Sequence, residues 1–402
     1  MRTLGSCLRI VRVGATAALL ALATNAMFAQ SLTWFDSFTS AFDVSDGGVV
    51  VGTYFTASGN NRAFRWENGV RQDLGTLGGA QSRARAVSAD GRVVVGWAQN
   101  ANGQIRAFRW ENGVMQDLGT LGGSQSEALG VSSDGSVVVG YAHNSLGRSR
   151  AFIWTQGGGM QEIGSLPGSP ASTAYAASAD GSVVVGLSYI SGGDRGFRWA
   201  NGMQNLGTLG GSESVAYSVS ADGRVVVGSA RNALGERRAF RWTAHLGMEN
   251  LGVLPGGEVS VAYDISADGR VIVGQSGSSS AQGRGAFRWT PSRGIENLNI
   301  TYASLLTNGA TLSWATAISP NGRYIVGAGR RGGNNDAFLL DTGSTQQMGD
   351  VNGDRCVDST DLLAVLFAFG QSGSSLPEDV NGDGAVDDAD LLTVLFNFGE
   401  GC

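Results

Sequence analysis

A ten-residue motif, V-S-A-D-G-R-V-V-V-G at residues 87–96, occurs with variation seven times, and no other feature of the chain constrains its fold as much. The copies end on Gly52, Gly96, Gly140, Gly186, Gly228, Gly274 and Gly327, a spacing of 44, 44, 46, 42, 46 and 53 residues. A second element, A-F-R-W, follows each copy, beginning at Ala63, Ala107, Ala151, Gly196, Ala239, Ala286 and Ala337. A third, D-L-G-T-L-G-G, begins at Asp73 and Asp117 and returns in variant form at Glu162, Asn205 and Asn250. Each period therefore holds four candidate strands. The Asp-Gly pair between apolar runs signals a tight hairpin, because glycine takes positive φ at little cost and aspartate tolerates it. In A-F-R-W, strand alternation puts Phe64 and Trp66 on one face and Ala63 and Arg65 on the other.

One such sheet cannot bury its aromatic face alone, but stacked neighbours can. Units of about 40 to 50 residues with four strands each have the size of β-propeller blades. Glycine, at 63 of 402 residues, together with frequent valine runs and only 6 prolines, favours short strands and tight turns. The expected fold over 31–341 is an all-β, seven-bladed propeller of four-stranded blades. Residues 32–43 look like the end of a unit, while the last copy stops at Asp341 without its D-L-G strand, so the final blade is expected to share strands from both ends of the chain. An open solenoid is the competing architecture and would leave edge strands exposed. Together the three elements resemble the extracellular HAF repeat family, with Arg62, Arg106, Arg150, Arg195 and Arg238 standing where that family has histidine. The resemblance implies export and a propeller-like body, and brings no catalytic residues.

Polar residues that recur in a repeat usually serve the repeat. Asp90, Asp134, Asp180, Asp222 and Asp268 read as turn formers, and Arg65, Arg109, Arg198, Arg241 and Arg288 as hydrogen-bonding groups between blades. A glycosidase would need two carboxylates that break the pattern, and Glu127, Asp194, Glu213 and Asp336 are singular acids of that kind. The only histidines, His143 and His245, do not complete a metal triad or a Ser-His-Asp set.

Residues 1–29 read as a secretory signal peptide, with Arg2, Arg9 and Arg12 ahead of an apolar stretch and small residues near Ala26 and Ala29. No later stretch is long and apolar enough to span a bilayer, so the protein is expected to be secreted, to the medium or the cell surface. The signal removes Cys7, leaving Cys356 and Cys402 as an even pair expected to form one disulfide, worth about 4 kcal/mol on a chain-entropy model. The chain has no lysine, which argues against a P-loop and a lysine-rich nucleic-acid face.

Beyond a linker at 342–348 the composition changes: residues 349–402 hold 11 acids against one arginine, while 30–348 hold 23 acids and 24 arginines. The acids are ordered as D-V-N-G-D-R-C-V-D-S-T-D at 350–361 and D-V-N-G-D-G-A-V-D-D-A-D at 379–390. Oxygen ligands at loop positions 1, 3, 5, 9 and 12, with a backbone carbonyl at 7, match a loop that wraps calcium. The first set is Asp350, Asn352, Asp354, the Cys356 carbonyl, Asp358 and Asp361; the second is Asp379, Asn381, Asp383, the Ala385 carbonyl, Asp387 and Asp390. Gly384 supplies the usual glycine at position 6, whereas Arg355 replaces it in the first loop. Val357 and Val386 are expected to join the loops, and apolar segments at 362–369 and 391–398 argue against a disordered tail.

Loop then single helix, twice over, resembles a type I dockerin, an EF-hand-like α-helical domain. The resemblance implies two calcium ions, a cohesin-type partner and recognition residues at Ser359, Thr360, Asp388 and Ala389. Phe367-Ala368 and Phe396-Asn397 stand where that family has a basic pair. Two functions are consistent with this reading. One is a secreted, non-catalytic binding or scaffold protein attached through its tail to a cohesin-like protein or cell-surface component. The other is a dockerin-bearing enzyme of polysaccharide breakdown, a glycoside hydrolase or lyase on a propeller.

Overall fold

The structure, a computed structural model, describes residues 30–36, 38–278, 284–343, 349–351, 357–373, 376–381 and 383–398. These form seven four-stranded antiparallel sheets, the blades of a propeller. Blade 1 runs outward from Thr39–Val44 to Val70–Asp73, and blades 2 to 6 repeat that order, starting from Gly78–Val87, Gly122–Val131, Ala171–Ala177, Gly210–Val219 and Val259–Ile265. Blade 7 combines Thr311–Ile318, Tyr324–Arg331 and Asn334–Asp341 with the N-terminal strand Ser31–Trp34, which pairs from Ser31 opposite Asp341 to Trp34 opposite Phe338. The expected sharing of the last blade between both ends of the chain is what is found.

Burial between blades follows from the A-F-R-W alternation. Phe64, Phe108, Phe152, Phe197, Phe240, Phe287 and Phe338 are all fully buried. Phe64 packs with Ala317 and Val326 of blade 7, and its neighbour Ala63 packs with Ala84 and Val94 of blade 2, so each blade presents an apolar face to both sides. The glycine that ends the ten-residue motif has a different cause. Each innermost strand bulges, and a Cβ at Gly140 would lie 2.0 Å from the Glu127 carbonyl oxygen, with 1.9 to 2.0 Å at the six equivalents. No side chain fits there.

The S-x-D-G turns close the ring on one face, called here the turn face. Backbone N–H groups of Asp46, Ala89, Ala179, Ala221 and Ala267 donate to the carbonyls of Ala89, Ser133, Ala221, Ala267 and Pro320 in the next blade. Pro320 has no N–H to continue the series, and the Asn321 N–H donates instead to Asp46 Oδ1 at 2.7 Å. Within the turns, aspartate accepts from the flanking serine and from the amide two residues on, as in Ser178 to Asp180 at 2.7 Å and Ser182 N–H to Asp180 at 2.9 Å. These bonds hold the Asp180 carboxyl at about 2, which fits a turn former.

The longer last period, 297–314, forms helix α1, Leu298–Thr301, and a 3-10 turn, Ala303–Leu305. Leu298 and Tyr302 are buried between blades 6 and 7, so this extension is part of the core. Beyond Gly349 the chain forms helices α2, Ser359–Ala368, and α3, Asp388–Phe396. Val357 and Val386 share one buried cluster with Val351, Val365, Val380 and Val394, as the valine spacing suggested. No described helix is long and apolar enough to cross a membrane.

Candidate functional site

The two tail units are built alike. Asp358 caps α2 and accepts the Thr360 N–H at 2.7 Å, while Asp361 receives the amides of Val351 at 2.7 Å and Asp358 at 2.9 Å. Asp387 caps α3 and accepts the Ala389 N–H at 2.8 Å; Asp390 receives Asn381 and Asp387 at 2.9 Å each. Ligand positions 9 and 12 of each loop thus form the reciprocal cap of the helix that follows, which ties loop geometry to helix start. The second loop is wound by its own acids: Asp379 accepts from Asp383 and Gly384, Asn381 from Asp383, and Asp383 from Ala385. Gly384 has φ +96°, the conformation position 6 requires.

Among the described residues, no three His, Cys, Asp or Glu side chains gather as a metal-holding group. The second-loop acids nevertheless lie in one another's field. Burial raises the Asp379 carboxyl to about 7, with the charges of Asp390 and Asp383 adding and Arg241 opposing. Burial also raises Asp390, helped by Asp383 and Asp387. Four carboxylates, an amide oxygen and a carbonyl carried along one loop are the oxygen donors a hard cation such as calcium takes, once the loop draws them together. In the first loop Asn352, Asp354 and Cys356 lie outside the described residues, as do Cys402, the signal segment 1–29 and linker residues 344–348.

Ser359, Thr360 and Asp388 are exposed at the helix starts, with Ala389 half-buried beside them. The helices also present matching apolar rows: Leu363, Leu366 and Phe367 on α2, and Leu392, Leu395 and Phe396 on α3, with Phe367 84 % and Phe396 83 % exposed. Each unit thus displays a phenylalanine near the end of its helix.

The propeller's polar side chains separate into framework and channel. Nε of Arg65, Arg109 and Arg198 donates to the turn carbonyl of Gly91, Gly135 and Gly223 in the next blade, the interblade role expected of them. Arg241 and Arg288 instead pair with Glu249 and Glu296 of their own blades. The bulges turn Phe42, Arg85, Leu129, Tyr175, Tyr217, Tyr263 and Thr316 into a central cavity of about 210 Å³. Tyr175, Tyr217 and Tyr263 form an arc with ring centroids 5.6 and 5.7 Å apart. A second cavity of about 510 Å³ opens from it on the loop face, opposite the turns, lined by Arg85, Glu127, Tyr141, His143, Tyr175 and Tyr189. There Glu127 accepts from Arg85 Nε at 2.7 Å and Tyr141 OH at 3.1 Å. Of the other singular acids, Asp194 and Glu213 line a separate cavity of about 350 Å³, with Glu213 held by Arg231 at 2.9 Å, and Asp336 pairs with Arg331. His245 stands on the turn face beside Asp383 and Asp387.

Two acids in the channel wall escaped the sequence reading. Asp43 and Asp264 occupy the repeat column that Ala86, Gly130, Ala176, Ser218 and Ala317 fill in the other blades, so column-by-column comparison exposes them. Asp43 accepts from Val44 and Val87 at 2.8 Å each; Asp264 accepts from Ser218 Oγ at 2.7 Å and Ile318 N–H at 2.8 Å, bridging neighbouring blades. Burial, with the charge of Asp264 adding, pushes Asp43 up to about 8, and burial pushes Asp264 to about 6. The folded channel keeps protons that the unfolded chain releases near pH 4, so propeller stability declines as pH rises from about 4 to 8. The unfolding midpoint is expected to drop by roughly 5 °C between pH 5 and pH 9. In Asp43→Asn that slope shrinks; an unchanged slope in thermal scans would remove Asp43 as its source.

No protein-family model and no curated protein sequence matches the chain. Among solved structures it is similar to the β-propeller domain of the Trilobed protease from Pyrococcus furiosus, which has an open velcro topology, at TM-score 0.51 and 10% identity over 78% of this chain and 97% of that one. Oligogalacturonate lyase from Vibrio parahaemolyticus gives TM-score 0.51 and 11% identity over 78% and 97%. A puromycin-hydrolyzing peptidase from Mycobacterium tuberculosis gives 0.53 and 15% over 80% of this chain, which spans only 52% of the peptidase. At such identities the likeness is one of fold, the propeller. In this chain Ser31–Trp34 closes the last blade.

Proposed function

We propose that this is a secreted, non-catalytic binding or scaffold protein whose dockerin-like tail binds two calcium ions and attaches the propeller to a cohesin-like protein or cell-surface component. The observation that carries the reading is the duplicated unit: two loops of oxygen ligands, each capping a helix that exposes the same Leu-Leu-Phe row. An exposed apolar surface of that kind marks a contact site in a soluble domain. Full-length protein used as bait against exported proteins is expected to retain a partner in calcium and lose it in chelator. Phe367→Ser with Phe396→Ser is expected to lose it in both conditions. Equal recovery in all four arms would remove the tail from attachment.

A second reading, an enzyme of polysaccharide breakdown, rests on Asp194 and Glu213, two acids outside the repeat pattern that share one loop-face cavity. Arg231 holds the Glu213 carboxylate at 2.9 Å within that cavity. An oligogalacturonate lyase is among the proteins of similar fold, in keeping with this reading. Turnover of a polysaccharide that disappears in Glu213→Gln would favour this reading. Binding to the tyrosine-lined mouth without turnover would favour the first.

A further inference from the structure

The second tail loop lies against the turn face of blades 5 and 6. Arg270 Nη2 donates to the Pro377 carbonyl at 3.0 Å, and Arg224 Nη1 lies 3.4 Å from Asp383 Oδ2. The Asn381 carbonyl oxygen sits 3.5 Å from where Gly269 would carry a Cβ, and a Cβ on Gly384 would come within 2.5 Å of Leu246 Cδ1. A side chain at Gly384 would have to displace Leu246, so loop and propeller are in direct contact there.

Comparison between blades shows what the loop covers. The A-F-R-W arginine side chain is 17, 16 and 16 % exposed in blades 1, 2 and 6, but Arg241 in blade 5 is 1 % exposed. Few other positions on this face could serve. The residue after the turn glycine is Ser136 in blade 3 and Ser182 in blade 4, and Arg323 in blade 7 is held bidentate by Asp341 at 2.8 Å. The column arginines of blades 5 and 6, Arg224 and Arg270, are the adjacent pair that reaches the tail loop, next to the buried Arg241.

We infer that the turn face of blades 5 and 6 is a docking surface for this chain's own second tail loop, and that calcium and the propeller compete for that loop. The competition rests on the calcium reading above; the docking surface does not. Three guanidiniums face a loop whose Asp379, Asp383, Asp387 and Asp390 carry its negative charge. A divalent ion on those carboxylates cancels two charges and weakens the attraction that holds the loop to Arg224 and Arg241. It also draws Asp379 and Asp383 toward itself, away from the winding that fits Gly384 under Leu246. By linkage, each partner lowers the other's affinity by the same factor.

The test uses full-length Leu246→Cys, with maleimide labelling read on that residue's own peptide. Labelling is expected to be slow in chelator and at least about fivefold faster in saturating calcium, the shift a change in docked population produces. Adding Arg224→Ala and Arg270→Ala should bring the chelator rate up to the calcium rate and tighten calcium binding measured by calorimetry. A calcium heat with unchanged or slower labelling would overturn the competition and leave the calcium reading intact. No calcium heat would overturn both. Arginine variants that label as slowly as the parent in chelator would overturn the docking surface.

Discussion

Deleting Ser31–Trp34 destabilises the propeller by about 5 kcal/mol or more, a loss comparable to the largest single core truncations. This strand is the outermost of blade 7 and, among the described residues, the N-terminal strand that pairs into the last sheet. Trp34 meets Phe338 edge to face at 6.0 Å, and the adjoining Phe35 packs on Trp66 of blade 1 at 5.3 Å, so the strand also seals the seam between first and last blades. Its removal bares the edge of Asn334–Asp341, and an unpaired edge invites pairing with a second chain. Denaturant unfolding with light scattering reads both effects. A deletion variant that stays monomeric with the parent's midpoint would show that the ring closes without its clasp.

Asp390→Asn is the second large effect, and its size depends on calcium. In chelator the change touches only a helix cap, since an amide still accepts one of the two amide protons that Asp390 now holds, and the cost is about 1 kcal/mol. With calcium a thousandfold above its dissociation constant, loss of the ion removes about 4 kcal/mol from the second loop and α3. Asp361→Asn should act alike on the first loop and α2. Hydrogen exchange across α2 and α3 separates the two; equal costs with and without calcium would leave these acids a capping role alone.

Much of the body was legible in the sequence because its chemistry is local and repeated seven times. The Asp-Gly turns, the buried phenylalanines and the blade shared between both ends of the chain follow from spacing and alternation. The interblade role of Arg65, Arg109 and Arg198 was also readable. Arg241 and Arg288 depart from it because each has a glutamate partner on its own outer strand. The channel lining was harder to see, because a bulge shifts the side-chain alternation by one residue and turns Tyr175, Tyr217 and Tyr263 inward, and alternation alone does not place that shift. Asp43 and Asp264 were hidden within near-identical repeats. The seat of the second tail loop joins Arg224 to Asp383, residues 159 apart, and no local pattern encodes such a contact.

Isothermal calorimetry of calcium into the chelator-stripped full-length chain bears most directly on the tail as a metal-gated attachment device. Two ions per chain are expected, falling to one in Asp390→Asn or Asp361→Asn and to none in the double variant. A parent chain that takes up no calcium, or one whose uptake survives both substitutions, would contradict the assignment of these loops.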